Sequence, residues 1–380
     1  MLLFLVICLL LKDSQQLSTE IISDYKVIHT FSGFDGKEPL GALLWTKSGL
    51  LYGTTSSGGK HGYGTIFKID KNDTFSSIHH FNGTDGSTPT YRLIQNPNQD
   101  IFGVTTKGGH YNKGVIFQVN VNDIVCSIYH FSGADGDFPT SLSVGRDPNK
   151  IYGTTGKGGR FGNGVIFRAG IYGGLSVIHD LSLTTDGSFP ICLITTGIDN
   201  FHGITLKGPT NQPQSNGGLF QLTQKGDFKF LYLFDHIGTP AGLSVHDEQT
   251  FYGTSLNDGA IFKANSSVKN PPDRYVPVLN YVLNSGLSLP YNGVTYSNSN
   301  GFLYGTVAKV EGIYPSGAVY KINASDFGSA VIILHTFGVN LDDTALVPKT
   351  VPTETTPRVF YGVTFESTPG FGTVYKFIDK

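Results

Sequence analysis

"LYGTTSSGGKHGYGTIFKID" at Leu51–Asp70 returns as "IFGVTTKGGHYNKGVIFQV" from Ile101 and as "IYGTTGKGGRFGNGVIFRA" from Ile151. Its Y/F-G pair sets a register that continues through the chain. The glycine is Gly53, Gly103, Gly153, Gly203, Gly253, Gly305 and Gly362, at steps of 50, 50, 50, 50, 52 and 57 residues. A proline keeps the same count at Pro39, Pro89, Pro139, Pro190, Pro240, Pro290 and Pro348. Two independent markers that agree on seven copies define a repeat protein, and a period near 50 belongs to propellers or solenoids.

Within one copy the residues read as four short strands: Pro39–Thr46, Leu50–Thr55, Gly64–Asp70 and Phe75–Phe81. β-Branched and aromatic residues fill them, and Gly, Asp, Asn and Pro fill the gaps. Such a unit cannot cover both of its faces alone, so copies must stack. The chain ends favour a ring over an open array. The chain enters on a lone fourth-type strand, Tyr25–Phe31, and stops on a third-type strand, Gly372–Asp379, so the two fragments complete one blade. The expected fold is all-β: a seven-bladed β-propeller with four-stranded blades, its ring closed by the N-terminal strand completing the last blade.

Composition agrees. With 380 residues, 49 glycines, one methionine and 15% charged residues, the chain has room for a large core and few helix-building residues. A net charge of −2 without a basic run argues against nucleic acid as a partner. Met1–Leu11, "MLLFLVICLLL", has the length of a signal-peptide core and is shorter than the roughly 20 residues that span a bilayer. Residues 1–18 are therefore read as a signal peptide and short leader, with a short signal anchor as the alternative. Residues 19–380 are read as one propeller domain, without a later membrane span. Four sequons, at Asn72, Asn82, Asn265 and Asn323, agree with secretion. Cys126 and Cys192, the cysteines outside the leader, fall on an outermost and an innermost strand two blades apart, so no disulfide is expected.

Motifs that invite chemistry have simpler readings. "GGKHGYGT" lacks the G-K-S/T and the following helix of a phosphate loop, and it sits between two strands. The strand glycines let an aromatic ring approach the backbone. The rings expected there are Phe67, Phe117, Phe167, Phe220, Phe262, Tyr320 and Tyr375, each one strand later. The Asp-Gly pairs at Asp35, Asp85, Asp135 and Asp186 read as turn caps, although a ring of carboxylates on one rim could also serve a polar ligand. His29, His79, His179 and His335 share one place in the fourth strand, where ring-related positions point apart, so no metal site is expected.

Alternating strand direction puts the fourth-to-first and second-to-third connections on one rim, and propeller ligands usually sit there. Candidate ligand-binding residues on it are Asp35, Asp85, Asp135, Asp186, His61, Tyr63, His110, Tyr111 and Arg160, with Asp235 and His236 from a less regular copy. Asn72, Asn265 and Asn323 fall on the opposite rim, and Asn82 on this one. Lys207, Glu311 and Glu366 are also unrepeated, yet their spacing forms no acid–base pair or triad. No cofactor is expected, a monomer is, and catalytic residues stay unassigned.

The consensus LYGTT-x-GG-x-x-G-x-G-T-I-F-K followed by I-H-x-F-x-G-x-DG-x-x-P resembles the GloVer-type tandem repeat of bacterial extracellular proteins. It is strong over Tyr25–Phe167 and eroded beyond. The resemblance implies an exported, propeller-like repeat domain and brings no assigned activity. Kelch propellers share a GG pair, but their repeating Trp is missing, since Trp45 is the single one. The leading functional expectation is a secreted, non-catalytic binding module for a glycan or an extracellular protein. A carbohydrate-active hydrolase or lyase at the channel mouth is the runner-up, and a purely structural surface protein the third.

Overall fold

The computed structural model describes residues 18–19, 24–196, 200–234, 239–247, 249–255, 260–265, 275–276, 287–290, 293–310, 316–326, 331–338, 343–368 and 370–380. Asp235, His236, Glu311 and the apolar leader lie outside the described residues. Every regular element among the described residues is a strand, and the strands form seven small sheets in a ring, a seven-bladed β-propeller. No described helix is long and apolar enough to cross a membrane.

Blade 1 consists of Leu44–Trp45, Leu51–Thr55, Thr65–Ile69 and Phe75–His80, in that order across the sheet and all antiparallel. Blades 2 to 5 repeat this order. In blades 1 and 2 only two residues of the expected first strand enter the ladder, Leu44–Trp45 and Ile94–Gln95. The segment before them is tied by single bridges instead, Lys37 to Ser57 and Ser87 to Lys107. Blades 3 and 4 carry the full strand, Asp137–Val144 and Ser188–Thr196. In blade 7, Lys26–Thr30 from the N-terminal region pairs antiparallel with Thr373–Ile378 and supplies the fourth strand. Ser18–Thr19 adds a parallel strand at the outer edge of blade 6.

Seven hydrophobic clusters lie between successive blades. Leu44, Tyr52, Ile66 and Phe81 of blade 1 meet Leu93, Phe117 and Val119 of blade 2. Tyr361, Val363 and Val374 of blade 7 meet Leu43, Leu51 and Phe67 of blade 1. The strand glycines make this packing possible. Gly53, Gly103, Gly153, Gly203, Gly253, Gly305 and Gly362 each stand directly across the ladder from the expected ring. In every case a methyl group on the glycine would collide with that ring's tip. All seven rings are fully buried, a contribution of about 1.5–3 kcal/mol each from apolar burial.

Charged groups join some neighbours at the opposite rim. Asp73 of blade 1 accepts from Tyr361 Oη at 2.6 Å and Lys376 Nζ at 3.1 Å in blade 7. Asp123 of blade 2 receives Tyr52 and Lys68 of blade 1 in the same way, and Asp379 of blade 7 receives Tyr304 and Lys321 of blade 6. At the centre, first-strand hydroxyls donate to the neighbouring blade's carbonyls: Thr140 to Pro190 at 2.7 Å, Thr295 to Pro352 at 2.7 Å and Thr353 to Leu43 at 2.8 Å.

Candidate functional site

A β-bulge recurs in the fourth strand, where the ladder skips Ile28, Ile78, Ile128, Ile178, Leu231 and Leu334. A bulge re-aims the residue that follows it. That residue is a histidine or tyrosine in each case, and where its Asp partner is described the two meet. His29 Nε2 lies 2.8 Å from Asp35 Oδ2, His79 3.0 Å from Asp85, His179 3.1 Å from Asp186 and His335 2.9 Å from Asp343. Tyr129 donates to Asp135. The carboxylate also caps its turn: the backbone N–H groups of Ser32, Asn82 and Ser132 donate to Asp35, Asp85 and Asp135 at 2.8 Å. Gly36, Gly86 and Gly136 follow with φ between 128° and 138°.

Burial pushes the Asp85 carboxyl up, but the bonds from His79 and Asn82 outweigh it and hold the group below the usual carboxylate range. Asp35 and Asp186 are shifted the same way by equivalent partners. These carboxylates are thus ionised and occupied at the foot of the rim. The sequence placed the histidines and the Asp-Gly pairs separately; their union depends on the bulge, which has no residue signature.

Beyond them the rim is aromatic and basic. Phe34, Tyr63, Tyr111, Phe161 and Phe371 are exposed, Tyr111 by 61% and Phe161 by 52%. Lys60, His61, His110 and Arg160 are exposed beside them. The loops are held rigidly. The backbone N–H groups of Lys60 and His110 donate to His80 Nδ1 and His130 Nδ1 at 3.1 and 3.3 Å, and that of Arg160 to Asp180 Oδ1 at 2.7 Å. The His110 ring stacks on His130 at 3.8 Å, the Tyr63 ring lies over Gly83, and Arg160 sits over Phe161 at 5.3 Å. Among the described residues no group of three or more His, Cys, Asp or Glu is arranged to hold a metal. Asn72 and Asn82 are exposed, whereas Asn265 and Asn323 are half-buried. Cys126 and Cys192 are both free thiols.

Sequence reasoning missed Arg92, half-way along the innermost segment of blade 2. It is solvent-exposed, yet protein surrounds it closely enough for desolvation to lower its pKa. Arg92 thus stands, exposed, on the innermost segment of its blade. Ala42, Ser141, Cys192, Gly242 and Gly293 hold the equivalent place, one residue before a packed aliphatic, in blade 1 and blades 3 to 6. That substitution of Arg for a small residue was the available signal.

The sequence model of the Gloeobacter/Verrucomicrobia repeat matches residues 17–126 and 96–268. The chain belongs to that repeat family. No curated protein matches it. Among solved structures, this Gloeobacter/Verrucomicrobia repeat protein is similar in fold to virginiamycin B lyase from Staphylococcus aureus. The identity is 12%, the coverage 94% of this chain and 100% of the lyase, and the TM-score 0.62. A streptogramin B lyase gives 11%, 94%, 99% and 0.59. An extracellular domain assigned to a hybrid two component system of B. thetaiotaomicron gives 11% identity and a TM-score of 0.59, with 92% of this chain covering 39% of that one. At these identities the likeness is one of fold.

Proposed function

We propose that this repeat propeller is a secreted, non-catalytic binding module whose loop-bearing rim takes a glycan of a cell surface or extracellular matrix. The observation that carries this reading is the exposed series Tyr63, Tyr111 and Phe161, presented on glycine-rich turns that are pinned before any ligand arrives. Exposed aromatic faces beside basic groups are costly to leave in water and mark recognition surfaces. Rigid loops lose little entropy on binding. A hydrolase or lyase would need one asymmetric pair of unengaged acids, whereas the described rim aspartates are committed to repeated turn caps. Secretion is supported by the apolar leader and by the likeness to an extracellular domain, and the exposed Asn72 and Asn82 suit glycan attachment.

The test is a glycan-array screen of the purified protein beside the triple variant Tyr63→Ser, Tyr111→Ser, Phe161→Ser. The wild type should bind a defined subset of glycans, and the variant should lose at least tenfold in affinity with an unchanged melting temperature. Equal binding by both proteins, or turnover of chromogenic glycosides by the wild type, would refute the reading.

A further inference from the structure

We propose that the ligand of the loop-bearing rim is a polyanion, an acidic polysaccharide with a carboxylate or sulfate on its repeating unit, and that Lys107, Lys157 and Lys207 are the cations that meet it. The inference rests on the reading of that rim as a glycan surface and adds the chemical class. The three lysines hold one place in three consecutive blades, four residues after the repeated glycine. Each stands across the sheet from the residue two before the marker proline: Lys107 from Ser87, Lys157 from Asp137 and Lys207 from Ser188. They therefore occupy the rim end of the second strand, beside the innermost segment. The backbone there is fixed. Lys107 and Ser87 exchange both backbone bonds, at 3.1 and 2.9 Å, and the Thr105 and Thr155 hydroxyls donate to the carbonyls of Lys107 and Lys157 at 2.9 and 2.8 Å. All three lysines are exposed, and none is ion-paired among the described residues.

Packing does not account for the charge. Lys309 holds the same place in blade 6, but Ser57 and Glu366 hold it in blades 1 and 7 with the threonine bond to the carbonyl intact at 3.1 and 2.8 Å. The blade thus accepts a small or an acidic residue there, and blades 2 to 4 depart from it together. The loop tips add Lys60 and Arg160, exposed and likewise without an ion pair. Aromatic rings are interleaved with these cations: Lys157 Nζ lies 5.7 Å from the centre of the Phe138 ring, and Arg160 sits over Phe161. The acids of this rim are engaged instead. Asp35, Asp85, Asp135 and Asp186 hold the fourth-strand histidines and Tyr129, Glu38 accepts from Ser57 Oγ at 3.0 Å and Lys37 Nζ at 3.3 Å, and Asp137 accepts from Lys113 Nζ at 2.8 Å. Glu366 of blade 7 is the exposed exception. In a chain of net charge −2, this is a local excess of positive charge, and such an excess draws polyanions. The lysine ammonium is a compact point charge that suits carboxylate and sulfate alike. Cations repeated from blade to blade match anions repeated along a polymer, because each further contact forms at the effective concentration set by the first.

The experiment measures binding of the protein to immobilised polygalacturonate, dextran sulfate, neutral dextran and single-stranded DNA. The wild type should bind one of the two acidic polysaccharides about tenfold or more tightly than dextran or DNA, and the binding should weaken as sodium chloride is raised. Preference for polygalacturonate identifies a carboxylate, and preference for dextran sulfate a sulfate. The triple variant Lys107→Gln, Lys157→Gln, Lys207→Gln should lose about tenfold or more of that affinity with an unchanged melting temperature. The variant Lys47→Gln, Lys71→Gln, Lys225→Gln removes the same charge from exposed positions on the opposite rim and should bind as the wild type does. No binding of either acidic polymer, DNA bound as tightly as they are, or equal losses in the two lysine variants would each overturn the proposal. If the rim binds neutral glycans alone and loses them in the variant Tyr63→Ser, Tyr111→Ser, Phe161→Ser, the glycan surface stands and its acidic specificity falls. Acidic-polymer binding that is lost with the lysines but kept by that aromatic variant supports the proposal and removes the aromatic series as the binding platform.

Discussion

The close approach of ring to backbone at the repeated glycine can be tested at Gly203, where the three nearest atoms a methyl group would meet all belong to the tip of the Phe220 ring. A methyl group on Gly203 would lie 2.9 and 3.1 Å from the two Cε atoms of Phe220 and nearer still to Cζ, where ordinary contacts begin at 3.4 Å. Phe220 is fully buried and stacked on Phe228 at 5.0 Å, so it cannot withdraw freely. The φ of Gly203 is not in the left-handed region, so alanine carries no backbone strain there and the cost is steric. Overpacking of this kind costs about 1–3 kcal/mol. Phe220→Leu removes the colliding edge and, alone, should cost about 1–2 kcal/mol for the cavity it leaves. In the double variant the two losses should fall short of their sum by about 1–3 kcal/mol. Gly162 is the control. It has φ +75° and nothing within 4 Å of a built Cβ, so Gly162→Ala should cost about 1 kcal/mol through the backbone, with no coupling to Phe220. Urea unfolding followed by circular dichroism gives the four energies. Additive losses at Gly203 and Phe220, or a milder effect for G203A than for G162A, would refute the packing argument.

Two further expectations follow from buried or shared charges. His202 is lowered to about 4, by burial first and Lys229 second, and its Nδ1 lies 2.6 Å from the Thr196 hydroxyl. Because its folded pKa lies below the unfolded 6.5, its stabilising effect is complete above pH 6.5 and is lost as pH falls towards 4, about 3 kcal/mol in all. His202→Phe, which copies Phe102 of blade 2, should flatten that limb of the pH–stability curve; an unchanged limb would show that another group causes it. Asp73→Asn should weaken the tie from blade 7 to blade 1 by about 1–2 kcal/mol while keeping a residue that tolerates its φ of 62°. Hydrogen exchange in Thr373–Ile378 should accelerate, and unaltered exchange there would mean that the apolar cluster alone holds the two blades together.

The blade count, the strand order and the glycine–aromatic pairs were legible because each is fixed by a residue type that recurs at one period. Gly53 and Phe67 announce their contact fourteen positions apart, the pairs Gly103–Phe117 and Gly153–Phe167 repeat that spacing, and the four later blades keep the pair at other spacings. What stayed hidden depended on geometry without a dedicated residue. The bulge at Ile78 looks like any strand isoleucine, yet it carries His79 onto Asp85 and joins two motifs that the chain presents separately. The shortened first strand of blade 1 was equally unreadable, since Pro39–Thr46 has the composition of the full strand that blades 3 and 4 form. For the candidate site the logic inverts. In a ring of like units, a feature present in every blade serves the ring, and binding chemistry must come from departures. Arg92 among small neighbours, and the changing side chains at Lys60–Tyr63, His110–Lys113 and Arg160–Phe161, are such departures on an otherwise constant scaffold. The phrase from Leu51 to Asp70 therefore encodes two things at once: its glycines and Phe67 set the packing of the blade, and its interior "KHGY" varies between blades while Gly58, Gly59, Gly62 and Gly64 hold the turn's left-handed backbone.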